Sequence, residues 1–249
     1  KLANPIFNSS MNPIDLNIDM GEGMGNENEL MPLINSCNIA CGGHAGSLEE
    51  MQRVIDLAIK HKVKIGAHPS YPDRENFGRV SIQISEKKLV QSLKDQLYSF
   101  MELLEDKKQL HHVKPHGALY NDCAKNPEVA EIVLNVIEEC CPHALLFTLP
   151  KSVLEQSAKA RGITVWREAF LDRGYTAQGK LQPRGEKGAL LTTASAMSAQ
   201  LNSIVKEHQV QAVSGQWIPM KAETFCLHGD HPNVVRNLKE LLSLYPVLP

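Results

Sequence analysis

Seven short strand-like runs, separated mostly by helical patterns, constrain this fold more than any other feature. They are "IDLNID" (14–19), "CNIACG" (37–42), "VKIGAH" (63–68), "HHVKPH" (111–116), "ALLFTL" (144–149), "TVWREAF" (164–170) and "TFCLHG" (224–229). Ser47-Leu48-Glu49-Glu50 has the form of a capping box, and Leu48, Met51, Ile55 and Ala58 then recur at helical spacing to mark a buried face. From Ser85 a longer helix carries Leu89, Leu93, Leu97 and Leu104 on one stripe. Asn126-Pro127 places proline at a first helical position, ahead of Val129, Ile132, Val133 and Val136. A second capping box, Ser152 to Glu155, opens a helix that ends at Gly162. Residues 193–208 form a helix through Met197, Leu201 and Ile204, and a closing helix after Pro232 buries Val235, Leu238 and Leu242.

Strands alternating with helices, without a linker-like break, imply parallel β/α units in one domain spanning 14–249. Length and unit count predict an α/β fold, a TIM-like (β/α)7 barrel one unit short of eight. A doubly wound open sheet is the alternative. The glycine- and proline-rich stretch 173–188 has no core pattern and reads as a long loop or hairpin at the site. Residues 1–13 are expected to be an added leader or a loose arm, with Met11 a plausible natural start.

Composition narrows the function classes. The net charge of −2 comes without a basic run, which argues against nucleic acid. Apolar runs are too short to span a bilayer, and "KLANPIFNSS" lacks the apolar centre of a secretory leader, so a cytoplasmic location is expected. The six cysteines form no CxxC pair and are expected as reduced thiols in or near the core. There is no GxxxxGK[ST] loop, no GxGxxG after a strand and no GxSxG elbow; "GEGMGNE" matches none of them.

Polar residues gather where the strands end: Asp19 and Glu22, His44, His68 and Asp73, His116 and Asn121, Glu168 with Asp172 and Arg173, and His228 with Asp230. In a parallel barrel these ends converge on one face, where catalytic groups sit. Lys114, two residues before His116, falls on the same side of an extended strand, and its charge would favour a neutral His116. Histidines with nearby carboxylates can act as acid and base around a carbonyl, with Lys and Arg gripping anions. They can equally hold a divalent metal that activates water, and Asp19, His44, His68 and His116 would then be its ligands. Spacing does not decide between the two. His61, His111, His143 and His208 lie at helix ends or outside elements and are read as structural.

In order, "DLNIDMGEG", "NIACGGHAG", "GAHPSYPD", "FGR", "HVKPHGALYN", "EAFLDRGY" and "CLHGD" resemble the LamB/YcsF family, the lactam-cleaving component of a three-part bacterial 5-oxoprolinase. The resemblance runs from about Ile14 to the closing helix. It implies a distorted barrel related to polysaccharide deacetylases. It also implies ATP-dependent opening of the lactam 5-oxoproline (pyroglutamate) to L-glutamate, with two partner subunits. The family motifs fall on Asp19, Glu22, Asn38, His44, His68, Asp73, Arg79, Lys114, His116, Asn121, Glu168, Asp172, Arg173, His228 and Asp230. Ser47 stands where an aspartate is usual in the family, and both are good helix caps. Leu171 replaces a smaller residue, and "ENFGR" lacks a glycine often found before its phenylalanine.

On this reading Asp19, His44, His68, His116 and Asp172 are catalytic. Asp19 or His44 takes a proton from water, His116 gives one to the leaving nitrogen, and Asp172 orients its neighbours. Lys114, Arg79 and Arg173 hold substrate carboxylate or phosphate. Glu22, Asn38, Asp73, Asn121, Glu168, His228 and Asp230 complete the substrate site. ATP, with Mg, is expected on the partners. A stand-alone metal-dependent deacetylase or amidohydrolase is the second reading, and a non-catalytic substrate-binding component is the third.

Overall fold

The computed structural model describes residues 14–244, so the segment 1–13 lies outside the described residues. Seven parallel strands close into a barrel: β1 (Asp15–Met20), β2 (Ser36–Ala40), β3 (Lys64–His68), β4 (Leu110–Val113), β5 (Leu145–Thr148), β6 (Val165–Phe170) and the last strand, β9 (Thr224–Leu227). Closure comes from β9, which pairs with both β1 and β6 and so excludes the open-sheet alternative. The two remaining strands, β7 (Gln209–Gln211) and β8 (Trp217–Pro219), form a separate antiparallel hairpin that strand patterning did not foresee.

Around the barrel run α2 (Leu48–His61), α3 (Glu86–Glu102), α5 (Pro127–Cys140), α6 (Val153–Ala160), α7 (Ala194–Asn202) and α8 (Val234–Leu244). Two short helices, α1 (Glu27–Leu30) and α4 (Gly117–Cys123), follow β1 and β4. Local chemistry sets the helix ends. The Ser47 and Ser152 hydroxyls accept from the Glu50 and Glu155 amides, and the Asn126 side chain accepts from Glu128 N. Leu48 does not join the buried face of α2: in the first turn it is 57% exposed, while Met51, Val54, Ile55 and Ala58 pack inward. Leu104 is buried, but lies beyond the end of α3. The predicted helix 193–208 is α-helical only to Asn202 and continues as a π-turn over Ser203–Glu207. All six cysteines are buried and unbridged.

The barrel interior is polar. Along β1, Leu16, Ile18 and Met20 join the apolar core, while Asp15, Asn17 and Asp19 hydrogen-bond neighbouring strands. Asn17 Nδ2 donates to Thr224 Oγ1 at 2.7 Å, Asn38 Nδ2 donates to Asn17 Oδ1 at 2.7 Å, and Ser36 Oγ donates to Asp15 Oδ1 at 2.9 Å. These groups are buried and paired, so their desolvation is offset by hydrogen bonds. A column of defined hydrogen bonds thus lies beneath the strand ends and fixes where their side chains stand.

Candidate active site at the barrel mouth

Lys114 occupies the centre of the mouth. Its ammonium lies 2.9 Å from Asp19 Oδ1 and 2.9 Å from Glu168 Oε1, and donates to Cys226 Sγ at 3.1 Å. All four residues are buried. Burial alone would lower the lysine pKa, but Asp19, then Cys226 and Glu168, hold it well above the ordinary value. Burial would likewise raise Asp19, yet Lys114 and then His68 hold that carboxyl well below its usual range. Asp19 is therefore ionised at neutral pH. Its Oδ1 accepts from Asn38 at 2.8 Å and from Lys114, and neither bond uses Oδ2.

Three histidines surround it. His44 and His116 stack with ring centroids 3.6 Å apart, and His68 meets His116 edge-on. His68 Nδ1 lies 2.6 Å from the Lys114 carbonyl oxygen and must donate to it, because a carbonyl only accepts. His116 Nε2 donates likewise to the Phe77 carbonyl at 3.0 Å. The remaining nitrogens, His68 Nε2 and His116 Nδ1, therefore face each other 3.0 Å apart, each as a lone pair if both rings are neutral. One positive species between them, a proton or a metal ion, turns this opposition into attraction. Asp19 Oδ1 is 3.5 Å from His68 Nε2, and Glu22 Oε1 is 3.4 Å from His116 Nδ1. Asp19, Glu22, His68 and His116 form a buried group with ligand atoms within 4.8 Å of one another, a donor set that could hold a divalent metal.

Glu22 rather than His44 completes that group. His44 Nε2 is 2.9 Å from Glu22 Oε1, while its Nδ1 is buried without a hydrogen-bond partner among the described residues. Burial and then Asp19 push Glu22 well above the usual carboxylate range. The two carboxyls are thus shifted in opposite directions, Asp19 below and Glu22 above the usual carboxylate range. His116 is held well below the usual histidine value, first by burial, then by His44 and His68. The expected direction for His116 is met, but the cause is burial and the other imidazoles, not Lys114.

The other expected residues separate into groups. Arg79 and Asn121 line the mouth, and Arg79 Nη2 donates to Asp230 Oδ2 at 2.5 Å, linking the loops after β3 and β9. Asp172 accepts from His228 N at 2.9 Å and lies 2.9 Å from His228 Nδ1; His228, although burial opposes it, brings the carboxyl pKa down to about 2. Arg173 is buried against the carbonyls of Ala189 and Gln182. Asn38 and Glu168 stand inside the barrel wall, where they position Asp19 and Lys114. Asp73 accepts from Asn76 N and Nδ2, so it shapes its own turn. The 173–188 stretch does border the site, through Gln178 to Arg184.

Residues outside the expected set also contribute. His112 Nε2 donates to Asn38 Oδ1 at 2.7 Å, and so dictates that Asn38 turns its amide toward Asp19. The imidazole occupies the space left by Gly66, where an added Cβ would come within 2.0 Å of His112 Nε2. Tyr120 lines the cavity, its phenol pushed up by burial and then by Glu168. Phe77, in the left-handed region at φ 53°, presents its carbonyl to His116. Gly117, at φ 55°, is needed because a Cβ there would lie 2.5 Å from the Gly78 carbonyl oxygen. The parity of β4 offers a signal for one of these: His112 and Lys114 alternate onto the same face.

A closed parallel β/α barrel with ionisable groups gathered at the C-terminal ends of its strands has the architecture of a barrel enzyme site. A LamB/YcsF family profile matches residues 14–244, and the chain belongs to that family. It is similar, at 34% identity and a TM-score of 0.85, to the crystal structure of a lactam utilization protein from Thermus thermophilus, covering 94% of this chain and 98% of that one. A putative alpha-L-fucosidase from Bacteroides thetaiotaomicron matches at 10% identity and a TM-score of 0.49, over 94% of this chain and 59% of that one.

Proposed function

We propose that this chain is the lactam-cleaving component of an ATP-dependent 5-oxoprolinase, opening 5-oxoproline to L-glutamate in the cytoplasm with two partner subunits. The observation that carries the reading is the pairing of an ionised Asp19, locked by Lys114, with the facing imidazoles of His68 and His116 at one cavity. Membership of the LamB/YcsF family and similarity to a lactam utilization protein support a lactam as substrate.

A five-membered lactam is an unreactive amide whose ring favours closure, so its opening needs activation. On the partner subunits, ATP (as its Mg complex) transfers its γ-phosphoryl group to the lactam oxygen, releasing ADP and the ring N–H proton. Asp19 takes a proton from water as the water oxygen bonds to the activated ring carbon. The tetrahedral adduct can expel phosphate and regenerate the lactam, or expel nitrogen and open the ring. The proton taken by Asp19, passed through the His68–His116 contact to the ring nitrogen, selects the second course, giving an amine and an acyl phosphate and restoring the Asp19 carboxylate. A second water attacks the acyl carbon and releases phosphate. The sum is 5-oxoproline, ATP and two waters giving glutamate, ADP and phosphate. Lys114 keeps Asp19 ionised, and Asn38 fixes its rotamer.

The facing lone pairs favour a second reading, a stand-alone metal-dependent amidohydrolase or deacetylase. Asp19, Glu22, His68 and His116 would hold the ion, which would supply activation of water. The deciding experiment measures glutamate release from 5-oxoproline with and without ATP and partner proteins, together with metal content. Release only with ATP and partners is expected. Release by this chain alone, without ATP and in proportion to bound metal, establishes the second reading instead.

A further inference from the structure

The cavity above the catalytic cluster has a volume of about 650 Å³, a size suited to a drug-sized ligand and much larger than one lactam ring. Its walls carry seven lysine and arginine side chains and one carboxylate, Asp19. Three of the seven are largely satisfied within the protein: Lys114 by Asp19 and Glu168, Arg79 by Asp230, and Lys125 by Asp122 at 3.0 Å. The others are not. Lys151 and Lys180 have no carboxylate within 4.0 Å among the described residues, and Arg184 reaches Asp230 only at 3.9 Å, where Arg79 already sits.

Arg173 is the informative one. It is only 6% exposed, yet its guanidinium meets backbone carbonyls alone: Nε donates to Ala189 O at 3.1 Å and Nη2 to Gln182 O at 2.6 Å, with Nη1 in neither bond. Burial, then the charge of Arg184, brings its pKa down to about 10 even though the Asp172 carboxylate opposes the shift. A buried cation beside a second cation is costly unless an anion joins them. The charge excess is far too local for general solubility, because the chain as a whole is slightly acidic.

We infer that Lys151, Arg173, Lys180 and Arg184 form a phosphoryl-binding subsite in the outer cavity, seating the phosphate of an activated substrate while its ring faces Asp19 and His116. This rests on the reading above for the identity of the substrate, but the anion site stands on its own geometry. Guanidinium and ammonium groups without internal carboxylates are suited to phosphate oxygens. The subsite also separates two duties that the sequence assigned together, because Lys114 is already neutralised and serves Asp19 rather than an incoming anion.

The test is thermal unfolding of the full chain at fixed ionic strength, titrated with inorganic phosphate, pyrophosphate, ATP or acetate. Phosphate and pyrophosphate should raise the midpoint saturably, and acetate should not. In the K151Q/K180Q double variant, which changes two exposed side chains, apparent affinity for pyrophosphate should fall roughly tenfold or more. Equal shifts with acetate and phosphate, or unchanged affinity in the variant, would overturn the subsite. ATP binding far tighter than pyrophosphate would overturn the substrate assignment and give the seat to a nucleotide. Phosphate binding without lactam opening would support the subsite while removing the 5-oxoprolinase reading. Lactam opening without phosphate binding would remove the subsite alone.

Discussion

Replacing Lys114 by methionine tests whether the barrel mouth is held together by charge. The ammonium is buried between Asp19 and Glu168, at 2.9 Å from each. Methionine keeps most of the volume and removes the charge, leaving two buried carboxylates without their cation. Breaking a buried pair by removing one partner costs about 3–5 kcal/mol. At about 2–4 °C per kcal/mol for a chain of this size, the unfolding midpoint should fall roughly 6–20 °C near pH 7.5. The deficit should depend on pH. In the native protein Asp19 has a depressed pKa, so its stabilisation is present above the unfolded value of about 3.9 and is lost as pH falls through the folded value. In the variant, burial without Lys114 should raise the carboxyl pKa above the unfolded value. Protonation then relieves the charge, so the variant should lose stability as pH rises and recover part of it near pH 5. Calorimetry from pH 5 to 8 measures both curves. A midpoint within about 2 °C of wild type at pH 7.5, or a deficit that does not shrink toward pH 5, would refute the reasoning.

Two further outcomes follow from the geometry. Gly66→Ala places a methyl group within 2.0 Å of His112 Nε2, so the imidazole must leave Asn38; overpacking plus the lost bond should destabilise by about 2–4 kcal/mol, read by denaturant unfolding, and lower activity through Asp19. Asp172→Asn removes a carboxylate whose pKa His228 brings down to about 2, so about 2–3 kcal/mol of stability should be lost at pH 7. That contribution is present above the unfolded value and lost as pH falls toward 2, so wild type and variant should converge in acid.

The alternation of strand and helix, together with cap residues such as Ser47, Asn126 and Ser152, made the barrel legible, because these signals act within a few residues. Polar groups at strand ends identified the mouth, since a parallel barrel gathers them on one face. What escaped were features set by contacts across the barrel. The β7–β8 hairpin is stabilised by a pairing remote from the core pattern, and Leu48 sits in a first turn that the core does not reach. His112 carries no local mark of function: its role exists only because Gly66 leaves it room and Asn38 lies opposite. Lys114 looked like a substrate cation because spacing reveals which side a residue faces, not which charges already await it there.

The role of His116 is decided by glutamate release from 5-oxoproline in a mixture of ATP, the two partner subunits and the His116→Ala variant in place of the native chain. ATP consumption should persist while glutamate release is lost, in a variant whose unfolding remains cooperative. Glutamate release at the wild-type rate from the His116→Ala mixture would contradict that role.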